Sequence, residues 1–112
     1  MEDLNITPKM AEVLKIFLED PAKPRYGFEI MQRARLQSGS LYPMLARLER
    51  AGWLTGNRET IDPRMAGRPS RRHYTITGEA AIVAHDRLEA LSEQYRPPEI
   101  SLKRLKLHGS TT

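Results

Sequence analysis

The chain has 112 residues, enough for one domain with one modest core, and 39% hydrophobic and 29% charged residues are typical of a soluble globule. It has no cysteine, its three histidines lack ligand spacing, and no apolar run approaches the ~20 residues of a membrane span. These features predict no disulfide, metal, cofactor or membrane partner. The start, Met-Glu-Asp, lacks the features of a signal peptide, which predicts a cytoplasmic protein.

The first helix is predicted to begin at Pro8, with Thr7 as its cap, and to end at Asp20-Pro21. Its apolar residues recur with helical spacing, at Met10, Val13, Leu14, Phe17 and Leu18. This stripe is richer than a small core requires. We therefore predict that Val13, Leu14 and Phe17 contribute to a dimer interface.

A second helix is predicted from Tyr26 to Ala34, and a short turn at 35–39 leads to a third helix. In the second helix, the residues predicted to be buried are Phe28, Ile30 and Met31. Two helices joined by so short a turn are typical of a helix-turn-helix unit.

The third helix is predicted to have Ser40 as its N-cap, Pro43 in its first turn and Gly52 at its end. Leu41, Leu45 and Leu48 share one face. The opposite face carries Pro43, Ala46, Arg47 and Arg50. A helix with an apolar back and a front of small residues and arginine fits a DNA major groove.

Two strands are predicted after Gly52, from Trp53 to about Thr60 and from Arg71 to Ile76. The loop of residues 61–70 that joins them is basic and contains two prolines and a glycine. A helix-turn-helix followed by two strands and a basic loop predicts a winged helix, with this connection as the wing. The fold class is thus mainly α with a small β-hairpin wing.

The last helix is predicted to run from about Gly78 to Tyr95, after the cap Thr77. It carries a heptad-like stripe of Ala81, Ala84, Leu88, Leu91 and Tyr95. This stripe could pack onto its own domain in a monomer, but a helix of this length at the end of a small domain favours dimerisation. We predict a DNA-binding domain over 1–76, and over 77–112 a dimerisation helix and a basic tail, whose part from residue 99 is a short helix or a disordered arm.

The positive charge is concentrated. Residues 33–72 hold nine arginines and three acidic residues, a net charge of +6, whereas the whole chain carries +4. Clustered positive charge indicates a polyanionic partner, although a solvated arginine-rich surface is the alternative.

The chain resembles the PadR family of bacterial transcriptional regulators. The motifs that carry the resemblance lie in order over about residues 26–80 and comprise Tyr26-Gly-Phe-Glu-Ile30, Ser38-Gly-Ser-Leu-Tyr-Pro43, Leu45-Ala-Arg-Leu-Glu49, Ala51-Gly-Trp-Leu54, Gly67-Arg-Pro69 and Arg71–Glu79. The resemblance implies a winged-helix homodimer of the short subfamily, usually a repressor, that joins through its first and last helices. Some short members bind flat aromatic molecules beside a tryptophan of the last helix. Here that helix offers only Tyr95, so a small-molecule effector is possible but unsupported.

The predicted DNA-binding residues are Tyr26, Ser38, Gly39, Ser40, Tyr42, Pro43, Arg47, Arg50, Arg68, Arg71 and Arg72. Several have a second interpretation: Tyr42 as a packing residue, Arg50 as the partner of an acid, and the wing arginines as solvated side chains. No phosphate loop, paired carboxylates or nucleophile motif is present, so an enzyme is not predicted. The remaining alternatives are a module that binds an acidic protein and a phage or recombination accessory factor without repressor activity.

Overall fold

A computed structural model describes residues 1–105. The first helix, α1 (Pro8–Glu19), has the predicted bounds, and the Thr7 hydroxyl accepts a hydrogen bond from the Met10 amide at 3.2 Å. The second, α2, covers Gly27–Ala34. It ends at Arg35, whose left-handed conformation (φ 54°) reverses the chain so tightly that the third helix, α3 (Ser38–Arg50), begins three residues later. The helix-turn-helix is therefore confirmed, with a shorter turn than predicted.

The sheet has three antiparallel strands rather than the predicted two. β2 (Leu54–Arg58) pairs with β3 (Arg72–Ile76), and β3 also pairs with β1 (Arg25–Tyr26). In this register Tyr26 lies opposite His73. Tyr26 was expected to begin the second helix, but it is the last residue of β1 and the N-cap residue of α2. A two-residue strand shows no alternation, so its sequence carries no strand signal.

The wing is the connection between β2 and β3, which covers residues 59–71. It contains one short helix, α4 (Pro63–Ala66), where the sequence predicted only loop. Asp62 caps this helix by accepting a hydrogen bond from the Arg64 amide at 3.0 Å, and Gly67 ends it with φ 69°. Only glycine adopts that backbone conformation without strain, so Gly67 turns the chain back towards β3.

The last helix, α5 (Gly78–Gln94), begins at the predicted cap, where the Thr77 hydroxyl accepts from the Ala80 amide at 3.2 Å. Its first two turns bury Ala80 and Ala84 in the core, Leu88 in the third turn packs against the core, and the residues after it extend beyond. Within residues 1–105, α5 therefore shares the core of the preceding elements, and the boundary at residue 76 stays a prediction. A further helical turn covers 102–105, and the remainder of the predicted basic tail lies outside the described residues.

One apolar core joins these elements. Its largest fully buried side chains are Trp53, Phe17, Leu14, Ile30, Leu41, Leu45, Leu48 and Val13. The indole of Trp53 donates to the carbonyl of Glu2 at 2.6 Å, which holds the N-terminal segment against the end of α3. No helix among residues 1–105 is both long and apolar enough to cross a membrane.

Candidate nucleic-acid interface

The two faces of α3 divide as the sequence predicted. Leu41, Leu45 and Leu48 are fully buried, so they fix the helix against the core. The opposite face is uncovered and presents Tyr42, Pro43, Arg47 and Arg50 to solvent, with Ala46 partly buried beside them. This is the only α-helical surface of the described chain that combines small residues, an aromatic ring and two exposed arginines.

The N-terminus of α3 differs from the prediction. Gln37, with an extended backbone, is the N-cap residue, and the helix begins at Ser38. Ser40 is therefore the third residue of the helix and not its cap, and Pro43 lies in the second turn, where it removes a hydrogen bond to the carbonyl of Gly39. The side chain of Gln37 makes no capping bond, so the amides around exposed Ser38 and Gly39 are left for solvent or a ligand.

A groove of about 240 Å³ lies beside this helix end. Its lining is aromatic and cationic, formed by Tyr26, Gly27, Phe28, Tyr42, Arg71 and Arg72. A Cβ at Gly27 would lie 2.5 Å from the hydroxyl of Tyr42, so this glycine is required for the ring to pack here. Tyr42 remains 44% exposed and thus both packs and faces outward. Phe28, expected to be buried, is 64% exposed because it points away from the core at the start of α2.

The base of the wing is closed around Glu59, whose side chain is only 12% exposed. Its carboxylate accepts from Arg68 at 2.7 and 3.1 Å and from the amide of Arg71 at 2.9 Å, and its carbonyl accepts from the Ser70 hydroxyl at 3.1 Å. The Arg68 hydrogen bonds lower the pKa of Glu59 to about 2. Arg68, predicted to bind DNA, is therefore engaged in holding the wing together.

Arg72 is engaged as well. Its Nη2 donates to Oε2 of Glu49, in the last turn of α3, at 2.6 Å, and its guanidinium lies 5.7 Å from the ring centroid of Tyr74. The hydrogen bond to Glu49 raises the pKa of Arg72. This ion pair connects β3 to α3.

The other arginines of the basic segment divide by the same criterion. Arg33 pairs with Glu19 and Glu29. Within residues 1–105, six have no acidic partner, namely Arg35, Arg47, Arg50, Arg58, Arg64 and Arg71. Five of these six belong to α3, β2 or the wing. The unpaired positive charge is thus concentrated beside the exposed face of α3.

The structural role of Arg25, which is 3% exposed, was not predicted from the sequence. It contacts Glu29 at 3.1 Å and Glu19 at 3.6 Å, and so connects the end of α1 to β1 and α2 beneath the helix-turn-helix. The spacing of Arg25, Glu29 and Arg33 at successive fourth positions was the available signal. Nearby, His73 is partly buried and packs edge-on against Tyr26, with ring centroids 5.8 Å apart.

The predicted dimer residues fall into two groups. Val13, Leu14, Phe17 and Ala84 are at most 1% exposed within a single chain, so their prediction as dimer contacts is wrong. The helices that carry these residues, α1 and α5, pack against each other, and α1 also packs against α2 and β3. The four side chains therefore fill the core of their own chain. Ala81, Leu88 and Leu91 are partly buried, and Tyr95 is 75% exposed.

Three members of this second group, Leu88, Leu91 and Tyr95, border an open groove of about 820 Å³ between α1 and the outer half of α5. Its other lining residues are Lys15, Leu18, His85, Glu89 and Ser92. His85, Asp86 and Glu89 on α5 bring potential metal ligands within 4.8 Å of one another. All three are at least 66% exposed and belong to one helix, so we assign no metal to them.

The fold and this basic face define a winged-helix DNA-binding protein. The model of the PadR-like family of transcriptional regulators matches residues 13–82. The chain therefore belongs to the PadR-like family, whose members are transcriptional regulators and not enzymes. A comparison with curated proteins finds no match.

Solved structures agree with the fold. Reduced AbfR bound to DNA, a protein of Staphylococcus epidermidis, superimposes with a TM-score of 0.65 at 26% identity over 95% of this chain and 69% of its own. A point mutant of Lactococcus lactis ZitR has a TM-score of 0.61 at 16% identity over 100% and 66% of the two chains. The smu.1704 protein of Streptococcus mutans UA159 has 0.59 at 22% over 81% and 84%. The last two likenesses bear on the fold alone.

Proposed function

We propose that the protein is a repressor that binds an inverted-repeat operator as a homodimer. The observation that carries this proposal is the uncovered face of α3, which exposes Pro43, Arg47 and Arg50 and whose Tyr42 shares a groove with the unpaired Arg71 of the wing. Its width and chemistry suit insertion into a major groove, with Arg47 directed to a base edge or phosphate. The DNA-bound state of the similar AbfR structure supports the same class of ligand.

The surrounding elements suit phosphate contacts. The uncapped start of α3 offers the backbone amides of Ser38 and Gly39, beside the exposed hydroxyl of Ser40, and the neighbouring groove offers the hydroxyls of Tyr26 and Tyr42. Arg71 and Arg64 provide unpaired charge on the wing, which in winged helices approaches the neighbouring backbone or minor groove. Arg50, near the end of α3, is exposed and suits a phosphate.

The outer half of α5 supports the homodimer. Leu88, Leu91 and Tyr95 border an open groove against α1, and no element of the described chain covers it. A second copy related by a two-fold axis would cover both grooves at once and present two α3 helices on one side of the duplex. Such helices enter successive major grooves about 34 Å apart.

Selection of bound sites from a random duplex library tests DNA recognition and symmetry together. We expect an inverted repeat with half-site centres about 10 base pairs apart, or a multiple of that. A selected site without a dyad would contradict the homodimer, and recovery of no site would contradict sequence-specific binding. Transcription in vitro from a promoter that contains the site should fall when the protein is added. Unchanged transcription with the site fully bound would instead favour an accessory role.

A further inference from the structure

Three features converge on Arg72. Its Nη2 lies 2.6 Å from the Glu49 carboxylate, and its guanidinium lies over the Tyr74 ring. The third feature is Gly56 on β2, opposite Tyr74 in the sheet, where an added Cβ would lie 2.6 Å from the same Nη2. The absence of a side chain at Gly56 thus provides the space in which the guanidinium lies flat.

We infer that Arg72 and Glu49 are positioning residues. Their ion pair, here called the latch, fixes the wing relative to α3, and Arg72 does not neutralise a phosphate. This inference rests on the proposed DNA binding. The guanidinium of Arg72 joins β3 to the last turn of α3, across 23 residues of sequence. Because Arg71 is the preceding residue, the same latch determines where the unpaired Arg71 side chain is presented.

The latch explains why the acidic residue Glu49 lies on a face that we propose binds a polyanion. An unpartnered carboxylate there would repel phosphates and weaken binding. If Glu49 had no positioning role, its removal would strengthen binding. If it holds Arg72, its removal frees the wing and weakens binding. The two interpretations therefore predict opposite signs for one substitution.

The first experiment measures the dissociation constant of the full-length wild type and of Glu49→Gln for the selected operator duplex at several salt concentrations. We expect Glu49→Gln to bind roughly 2–5-fold more weakly, the size of a part-exposed ion pair. Arg72→Ala should weaken binding by at least this factor, because it also leaves the Glu49 carboxylate without a partner. Its salt slope should stay that of wild type, because no phosphate contact is lost. Arg71→Ala should instead reduce the slope by about one contact per protomer.

Gly56→Ala provides a variant without any change of charge. Its methyl group displaces the Arg72 guanidinium, so we expect the same weakening as for Glu49→Gln. Gly78→Ala is the matched control, because nothing lies within 4 Å of a Cβ at that position. The double variant Glu49→Gln/Arg72→Ala should bind no more weakly than either single variant, since both break one contact. Thermal unfolding of each variant separates a displaced wing from a damaged fold.

Binding by Glu49→Gln that equals or exceeds wild type would overturn the inference, as would a salt slope reduced by one contact in Arg72→Ala. If thermal unfolding shows that Gly56→Ala does not fold, Glu49→Gln and Arg72→Ala still decide the question. Failure of the proposed function has a different signature, since wild type would then not bind any duplex. The latch would have no role in DNA binding in that case, and the inference would fall with it.

Discussion

The basic face of α3 and the wing and the apolar face of α1 and α5 differ in what decides which of their side chains can contact another molecule. On the basic face nearly every arginine is at the surface, and pairing with acids decides which charges remain for a ligand. On the apolar face, burial decides which side chains remain for a partner. Arg68 and Arg72 are paired with Glu59 and Glu49, whereas Val13, Leu14 and Phe17 are buried in the core. Residue type therefore locates each surface, but competition within the fold selects its members.

The largest expected effect tests the apolar face. Leu88→Asp places a charge in the proposed seam, where it would be desolvated without a partner, and should give a monomer. Because two linked half-sites gain about 10²–10⁴ in avidity, operator binding should weaken by a comparable factor. Sedimentation and operator titration measure the two effects. Ala90→Asp, at an exposed position off the stripe, is the matched control, and a wild type that sediments as a monomer would contradict the proposed dimer.

The next prediction separates core from interface on α1. Leu14→Ala should lower the free energy of unfolding by about 2–5 kcal/mol, because it removes a fully buried side chain. The loss should be the same at low and high protein concentration in denaturant titrations. Leu91→Ala should behave differently, with a loss that is largest at high protein concentration and shrinks on dilution, because dimerisation then contributes less to the stability of either protein. A loss of unfolding free energy in Leu14→Ala that depends on protein concentration would show that Leu14 contributes to the dimer interface.

On the basic face, Arg47→Ala should reduce specific affinity by about 1–3 kcal/mol if the guanidinium reaches a base edge, and by less if it meets only a phosphate. Titrations against the operator and against a duplex with altered half-sites distinguish the two contacts. Lys23→Ala, an exposed cation outside α3 and the wing, serves as the control. Unchanged binding with the fold intact by circular dichroism would remove Arg47 from the interface.

The smallest effect concerns the base of the wing. The pKa of Glu59, about 2 in the folded chain, is below its ordinary value of 4.5. The stabilisation from its hydrogen bonds is therefore complete above pH 4.5 and is lost as the pH falls towards 2. A carboxyl titration by NMR should show a midpoint near 2, and Arg68→Ala should raise it towards 4.5. A wild-type midpoint near 4.5 would show that the Glu59 contacts do not form in solution.

Local sequence signals were sufficient for the starts of α1 and α5 and for the buried face of α3, although they missed α4 and placed the cap of α3 at Ser40 instead of Gln37. Thr7-Pro8 and Thr77 mark helix starts within one turn of chain, and the leucines of α3 at positions 41, 45 and 48 identify its buried side through periodicity alone. Such signals need only neighbours in sequence, because hydrogen bonds at helix ends and helical faces are set within a few residues. The PadR-like motifs lie in these segments, which is why family membership could be inferred from them.

Only the tertiary structure decided which of those residues are available. β1 pairs with a strand that is distant in sequence, Glu49 reaches Arg72 across 23 residues, and Val13, Leu14 and Phe17 are buried where α1 packs against α2, β3 and α5. These outcomes depend on which distant groups meet once the helices pack, and neither propensity nor periodicity carries that information. The sequence by itself thus determined the fold class and the exposed basic face that we propose for DNA, while packing and ion pairing determined which of its side chains are unpaired.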